Sequence, residues 1–271
     1  MVSVARSEHP TRVDEVAHYY LYACAITWLL AIPAAIAWLN HRSPSPPAIA
    51  AAGLSAFGPL LAALVVARKS RQLGALFGRW RSRPQWVALA LLAPLTIHLL
   101  ATLALAALGK HPAHWFHPPA TAEAWAALVV FPLGEEFGWR GFAYAPLVRR
   151  LGPVRGNLVL GTGWGFWHLA YCITPEAAGF DGLSFAATML ELPLYSLLIA
   201  WVFEHANRSM LVAIAFHAGA HLDHIERERQ AALELQALHL IVLAIAATFA
   251  ARSLARAYQV SIGPSSSRDC T

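Results

Sequence analysis

Two adjacent carboxylates and a guanidinium lie within one apolar stretch of the sequence. The stretch FPLGEEFGWRGF, residues 131–142, contains Glu135, Glu136 and Arg140. At the centre of a membrane-spanning helix each such charge costs about 2.5–3.5 kcal/mol on the insertion scale. Glu136 and Arg140 are four residues apart and can pair on one helical face, which leaves Glu135 directed elsewhere. These charges indicate either a buried ion pair that fixes the helix register or a functional site.

Three histidines in later apolar segments favour a functional site. His168 ends the run GTGWGFWH, and FHAGAH places His217 and His221 four apart on one helical face. A buried glutamate can take a proton from water, and histidines can ligate a metal, hold a water molecule or stabilise an oxyanion. This combination is typical of hydrolysis. It also suits a proton or metal-ion pathway through a transporter, and the residue types alone leave both open.

The composition places these residues in a membrane protein. The chain has 271 residues, of which 58% are hydrophobic and 13% charged, whereas about 25% is usual in soluble domains. Eight apolar segments, several near the ~20 residues that a spanning helix needs, cover residues 19–39, 48–67, 86–108, 121–147, 156–173, 183–203, 209–222 and 233–251. We therefore predict an all-α, polytopic bundle of eight transmembrane helices over residues 19–251, between an N-terminal segment (1–18) and a polar C-terminal tail (252–271).

The basic residues predict the orientation of this bundle. With the N-terminus inside, fifteen Lys and Arg residues flank the cytoplasmic ends and four flank the opposite ends. Such an excess is the positive-inside pattern, and it predicts that both termini are cytoplasmic. Because the basic residues are spread over the membrane flanks, we expect a lipid bilayer and no nucleic acid as the partner. In a prokaryote this would be the plasma (inner) membrane.

The depths of the polar residues in the membrane agree with one another. At 1.5 Å per residue, Glu135 and His168 lie about 18 Å from the cytoplasmic ends of their segments and His217 about 12 Å. His221 follows one turn deeper. We expect all four to meet at one level, in a site that opens toward the cytoplasm.

Small residues flank these polar positions. Gly134 and Gly138 bracket the carboxylates, and Gly161 and Gly165 precede His168 at the same spacing of four. Such pairs allow membrane helices to approach closely. The sequence therefore predicts tight packing around the site.

Three motifs resemble one family. EEFGWR matches the E-E-x-x-x-R motif of the CPBP family, intramembrane proteases related to the type II CAAX prenyl protease and to bacteriocin self-immunity (Abi-like) proteins. WGFWH is similar to its second motif, with Trp164 where phenylalanine is usual, and NRSMLVAIAFHAGAH to its third. The resemblance covers residues 121–222.

The resemblance implies a role for each polar residue. Glu135 would be the general base that activates water, helped by His168, while Glu136 and Arg140 would support the site. His217 would bind water or metal. His221 stands where asparagine is usual and would stabilise the oxyanion.

Metal dependence has two interpretations within this family. In one, the protein is a metalloendopeptidase with zinc as the cofactor; His217 and His221 have ligand spacing for zinc, and the ligand set would be Glu136, His168, His217 and His221. In the other, the glutamate acts without metal.

The sequence thus predicts a CAAX-protease-like endopeptidase that hydrolyses a peptide bond of a membrane-embedded or membrane-tethered substrate. One alternative is a catalytically silent CPBP-like scaffold or bacteriocin-immunity protein. Another is a small ion or proton-coupled transporter, which the lack of obvious duplicated halves disfavours.

Overall fold

Helices form nearly all of the described structure. This computed structural model describes residues 13–69, 73–112, 115, 119, 121–174, 179–222 and 231–262. Its helices are α1 (Val13–Leu39), α2 (Pro46–Leu54), α3 (Gly58–Lys69), α4 (Leu73–Leu76), α5 (Pro84–Ala107), α6 (Ala122–Gly138), α7 (Tyr144–Trp167), α8 (Gly182–His205), α9 (Met210–His221) and α10 (Ala231–Ile262). Tighter 3₁₀ turns cover Ser55–Phe57 and His168–Cys172, and a π-helical turn covers Trp139–Ala143. The two-residue strands β1 (Ile173–Thr174) and β2 (Gly179–Phe180) pair antiparallel. The predicted all-α class is confirmed.

Helices occupy all eight predicted apolar segments. The second segment consists of α2 and α3, and the fourth and fifth run together through the π-helical turn and α7, with a break at Gly152 (φ 78°). Among the residues that the structure describes, five stretches are long and apolar enough to cross a membrane: Asp14–Leu39, Pro46–Arg68, Pro84–Ala107, Gly182–His205 and Leu233–Val260. The helices of the fourth segment contain the buried charges, and α9 has only 12 residues. The protein is therefore a polytopic helical membrane protein.

Helix α6, which contains the two carboxylates, has a capped N-terminus. The Thr121 hydroxyl accepts a hydrogen bond from the Ala124 backbone N–H at 3.2 Å, which caps the helix. Glu123 lies in the first turn, where the helix dipole favours a negative charge. From this start the helix buries its C-terminal turn, including Glu135 and Glu136.

Close helix contacts surround the site, as the glycine pairs predict. Helix α7 packs along α8, α5 along α9, and α1 along α3. A Cβ atom at Gly161 would lie 2.6 Å from the Leu192 carbonyl oxygen, and one at Gly138 would lie 2.6 Å from the Pro59 Cβ. Both distances are too short for a larger residue without movement of the neighbouring helix. The predicted close approach is confirmed.

Contacts between connecting segments agree with the predicted alternation of helix directions. The Met210 backbone N–H donates to the Arg79 carbonyl at 2.6 Å, and both residues flank helix ends predicted to be cytoplasmic. Lys110 forms an ion pair with Glu234, and both of these lie toward the opposite face. Which face is cytoplasmic stays a prediction.

The first and last helices extend beyond the predicted domain boundaries. Helix α1 begins at Val13, with Asp14 and Glu15 in its first turn, where acidic residues stabilise a helix N-terminus. Helix α10 continues to Ile262, so the first part of the predicted polar tail is helical. Residues 1–12 and 263–271 lie outside the described residues.

Candidate active site

Glu135 lies near the end of α6 with its carboxylate buried between aromatic side chains. Its Oε2 accepts a hydrogen bond from the Trp164 indole at 2.7 Å and a longer one from the Trp139 indole at 3.4 Å. Its Oε1 lies 3.9 Å from Nε2 of His217. The side chain is 5% exposed. The two oxygens therefore differ, because one is held by indole N–H groups and the other is directed at an imidazole.

Glu136 is the partner of Arg140, as the spacing of four predicts. Arg140 Nη1 donates to Glu136 Oε1 at 2.9 Å, and neither side chain is exposed. His217 Nδ1 lies 2.9 Å from the same oxygen. Because Oε1 also accepts from the Arg140 guanidinium, the His217 tautomer that fits this contact donates from Nδ1. A neutral imidazole held in this way has its acceptor lone pair at Nε2, the atom directed at Glu135.

A π-helical turn connects α6 to α7 immediately after the carboxylates. It spans Trp139–Ala143 and includes Arg140. Such a turn inserts extra backbone into a helix, and π-helical turns often occur at functional sites. Trp139 and Arg140 are both buried and contact Glu135 and Glu136, respectively. The turn thus holds two residues that contact the carboxylates.

His168 begins the 3₁₀ turn that follows α7, one turn after Trp164. Its Nδ1 donates to the Trp164 backbone carbonyl at 2.9 Å, because a carbonyl oxygen can only accept. The imidazole packs edge-on against the Trp167 ring at 4.8 Å between centroids and against Tyr171 at 5.7 Å. His168 is thus linked to Glu135 through Trp164, which accepts a bond from His168 at its carbonyl and donates one to Glu135 from its indole. The predicted role of His168 in helping Glu135 would act through this link.

His221 packs on His217 at the end of α9. The two rings stack with centroids 5.0 Å apart and an angle of 16° between their planes. The prediction that these histidines share one helical face is confirmed. His217, on which His221 stacks, in turn contacts Glu135 and Glu136.

Comparison with known proteins finds one matching family and one similar protein. Residues 117–222 match the family model described as Type II CAAX prenyl endopeptidase Rce1-like. The CPBP resemblance is confirmed. A similar protein, CAAX prenyl protease 2 from Methanococcus maripaludis, is 26% identical over 91 residues, which are 31% of this chain and 32% of the relative. The chain therefore matches about a third of the relative's length.

The matched segment contains all the elements of the site. It extends from residue 117 through α6, the π-helical turn, α7 and α8 to the end of α9. Its helices bring Glu135, Glu136, Arg140 and His217 into direct contact, with His168 and His221 at the periphery. The roles of these six residues stay predictions.

The predicted zinc ligands do not form a cluster in this arrangement. Among the residues that the structure describes, no three His, Cys, Asp or Glu side chains are grouped so that they could hold a metal ion. His217 Nδ1 and Glu136 Oε1 bond to each other, and His168 Nδ1 bonds to a backbone carbonyl. Both bonds use Nδ1 and leave Nε2 as the ring nitrogen that a metal would take, and the set of Glu136, His168, His217 and His221 stays a prediction. Zinc as the cofactor likewise stays a prediction.

Two tryptophans of the site are missing from the sequence prediction. Trp139 and Trp164 both direct an indole N–H at Glu135. For Trp164, the sequence offers one indication: tryptophan stands where phenylalanine is usual in the second CPBP motif. Tryptophan has an indole N–H donor, and phenylalanine has none. For Trp139, which lies four residues after Glu135, only the helical spacing indicated a contact.

Proposed function

We propose that this chain is an intramembrane endopeptidase that hydrolyses a peptide bond of a membrane-associated substrate with a water molecule activated by Glu135. One observation carries the proposal: two acceptor atoms, Glu135 Oε1 and His217 Nε2, are directed at each other across 3.9 Å. A polar separation of this size suits a bridging water molecule. Such a water would donate both protons to the protein and direct a lone pair at the substrate.

The chemistry follows from these roles. The water oxygen attacks the scissile carbonyl carbon, a C–O bond forms, and Glu135 Oε1 takes the proton. His217 orients the water and is itself held by Glu136 through its Nδ1–H. The carbonyl electrons move to the oxygen, where a donor such as the His221 imidazole stabilises the negative charge. The C–N bond then breaks, and the proton held by Glu135 passes to the leaving amine.

A peptidome comparison tests this function. Membranes from cells with the wild-type chain should release peptide fragments that are missing with Glu135→Gln. Glu204→Gln is the matched control, because Glu204 also accepts bonds in a helix, from Tyr144 and Arg208, but outside the site. The same fragments with wild type and with Glu135→Gln would contradict a protease that uses Glu135 and would favour a catalytically silent scaffold. Proton or ion flux across the membrane in the absence of a peptide substrate would favour a transporter.

The substrate class can be narrowed with matched peptides. The relative is named a CAAX prenyl protease, so a peptide ending in a CAAX sequence can be compared with and without its prenyl group in lipid nanodiscs. We propose a membrane-associated peptide as the substrate. Cleavage of both peptides would mean that membrane attachment matters more than the prenyl group, whereas cleavage of the prenylated form alone would make the lipid part of recognition.

We also propose that the site opens toward the cytoplasm. The proposal is supported by the basic residues beside the helix ends, which favour the cytoplasmic side. Reporter proteins fused after Lys69 and after Pro112 should therefore lie on opposite faces of the membrane, with the first in the cytoplasm. Accessibility labelling of intact cells measures this. If both fusions lie on the same face, α5 does not cross the membrane between them, and the predicted orientation of the bundle is wrong.

His221 tests whether the last histidine binds an oxyanion or a metal. As a hydrogen-bond donor, His221 can be replaced by asparagine, so His221→Asn should keep most of the activity. His221→Ala should lose about 10²–10³ in kcat, as for other oxyanion donors. Kinetics should be measured together with the zinc content of the purified protein. Stoichiometric zinc that is lost with activity in His221→Asn would support the metal interpretation instead.

A further inference from the structure

We infer that Trp164 is a positioning residue, which holds the Glu135 carboxylate in the orientation needed for catalysis. The inference rests on the proposed function and adds a residue to it. It starts from the bond that the Trp164 indole donates to Glu135 Oε2 at 2.7 Å. Trp139 donates to the same oxygen at 3.4 Å, a length at which a hydrogen bond is weak. Trp164 therefore provides the main constraint on the carboxylate.

The indole is itself held firmly. Trp164 is 2% exposed. The Arg140 guanidinium carbon lies 5.1 Å from the ring centroid, within the range of a cation–π contact. The His217 ring packs against the indole at 5.0 Å between centroids. A ring fixed by several neighbours cannot follow the carboxylate, so the bond constrains Glu135 rather than Trp164.

Trp164 also connects the parts of the site. Its side chain contacts Glu135, Arg140 and His217, and its backbone carbonyl accepts from His168. These contacts involve α6, the π-helical turn, α9 and the 3₁₀ turn that follows α7. The residue therefore orients groups from every element of the site, although it has no group that could take a proton from water.

The bond from Trp164 gives the two carboxylate oxygens of Glu135 different roles. With Oε2 bound to indole N–H groups, Oε1 is the oxygen directed at His217 Nε2, 3.9 Å away. Without the donated bond the carboxylate could rotate about its last side-chain bond, which has a broad torsional preference. The base would then be present but less often aligned with the water.

Trp164→Phe removes the donor and keeps an aromatic ring. The ring contacts with Arg140 and His217 can persist, so the variant isolates the N–H group. We expect kcat to fall about ten- to a hundredfold, the effect of one hydrogen bond to a charged group, with KM changed less than about twofold. Trp139→Phe, which removes the longer bond, should lower kcat less. Wild-type kcat in Trp164→Phe would overturn the inference.

A spectroscopic measurement tests the contact without a substrate. In the full-length protein in nanodiscs, the Trp164 indole N–H resonance can be assigned from its disappearance in Trp164→Phe. It should move in Glu135→Gln, because a neutral amide is a weaker acceptor than a carboxylate, and stay unchanged in Glu204→Gln. An N–H resonance indifferent to Glu135→Gln would overturn the inference.

The two measurements separate this inference from the proposed function. If the wild-type chain cleaves no peptide, the proposed function fails, and the N–H resonance still decides whether the indole holds the carboxylate. If the wild-type chain cleaves peptides and Trp164→Phe does so equally well, the protease stands and the positioning role is wrong. A lower melting temperature with unchanged kcat would likewise assign Trp164 to stability alone.

Discussion

Glu135→Gln should abolish turnover while leaving the folded protein nearly unchanged. Glutamine has the same shape but cannot take a proton from water, so the general-base contribution of about 10²–10⁴ in rate is lost. Its amide oxygen can still accept from Trp164 and Trp139, the donors that hold Glu135. Purified wild type and variant in nanodiscs should therefore differ in kcat but share a melting temperature within a few degrees.

Glu136→Gln is the matched comparison for that experiment. Glu136 is the adjacent carboxylate, equally buried, but its Oε1 binds Arg140 and His217 rather than facing the water position. Replacing it should lower stability and disturb His217, with some turnover retained. Full cleavage activity in Glu135→Gln would exclude Glu135 as the base. Complete loss in Glu136→Gln with full activity in Glu135→Gln would reverse the two roles.

Much of the helix arrangement could be predicted because it depends on local patterns. Apolar runs locate the helices, and the spacing of four in Glu136 and Arg140 is enough to predict their pair, which forms at 2.9 Å. The shared face of His217 and His221 follows from the same spacing. These features depend on the geometry of a single helix, and they do not require knowledge of its neighbours.

Contacts between different helices could not be predicted in the same way. The bond from Trp164 to Glu135 joins residues 29 positions apart, and that from His217 to Glu136 joins residues 81 apart. Periodicity gives the faces of each helix but not which face of a neighbour it meets. Depth in the membrane predicts that two residues share a level, as for Glu135 and His217, but not which atoms face each other.

The π-helical turn at Trp139–Ala143 is the clearest local feature that the sequence did not reveal. A regular α-helix through this region was the expectation, and the pattern of apolar residues fits either form. The turn lies against α4, where a Cβ at Gly141 would collide with the Leu76 carbonyl oxygen. Hydrophobic periodicity does not distinguish a single π-helical turn from a regular α-helix.

Arg140→Ala should destabilise the protein more than other single changes at the site. The Arg140 and Glu136 side chains are both completely buried and joined at 2.9 Å. Removal of the guanidinium leaves the Glu136 carboxylate buried without its cation, which costs about 3–5 kcal/mol for a buried pair. The hydrogen bond from His217 remains, but a neutral imidazole compensates less than a guanidinium does. Reversible unfolding in mixed detergent micelles measures this difference.

A double variant distinguishes a stranded charge from a simple loss of packing. Glu136→Gln combined with Arg140→Ala removes both charges, so it should recover part of the stability lost in Arg140→Ala, because no buried carboxylate is left unpaired. If the loss came only from the missing side-chain volume, the double variant would be no more stable than Arg140→Ala. In that case the pair would not be an electrostatic support of the site, and His217 would depend on Glu136 alone for its orientation.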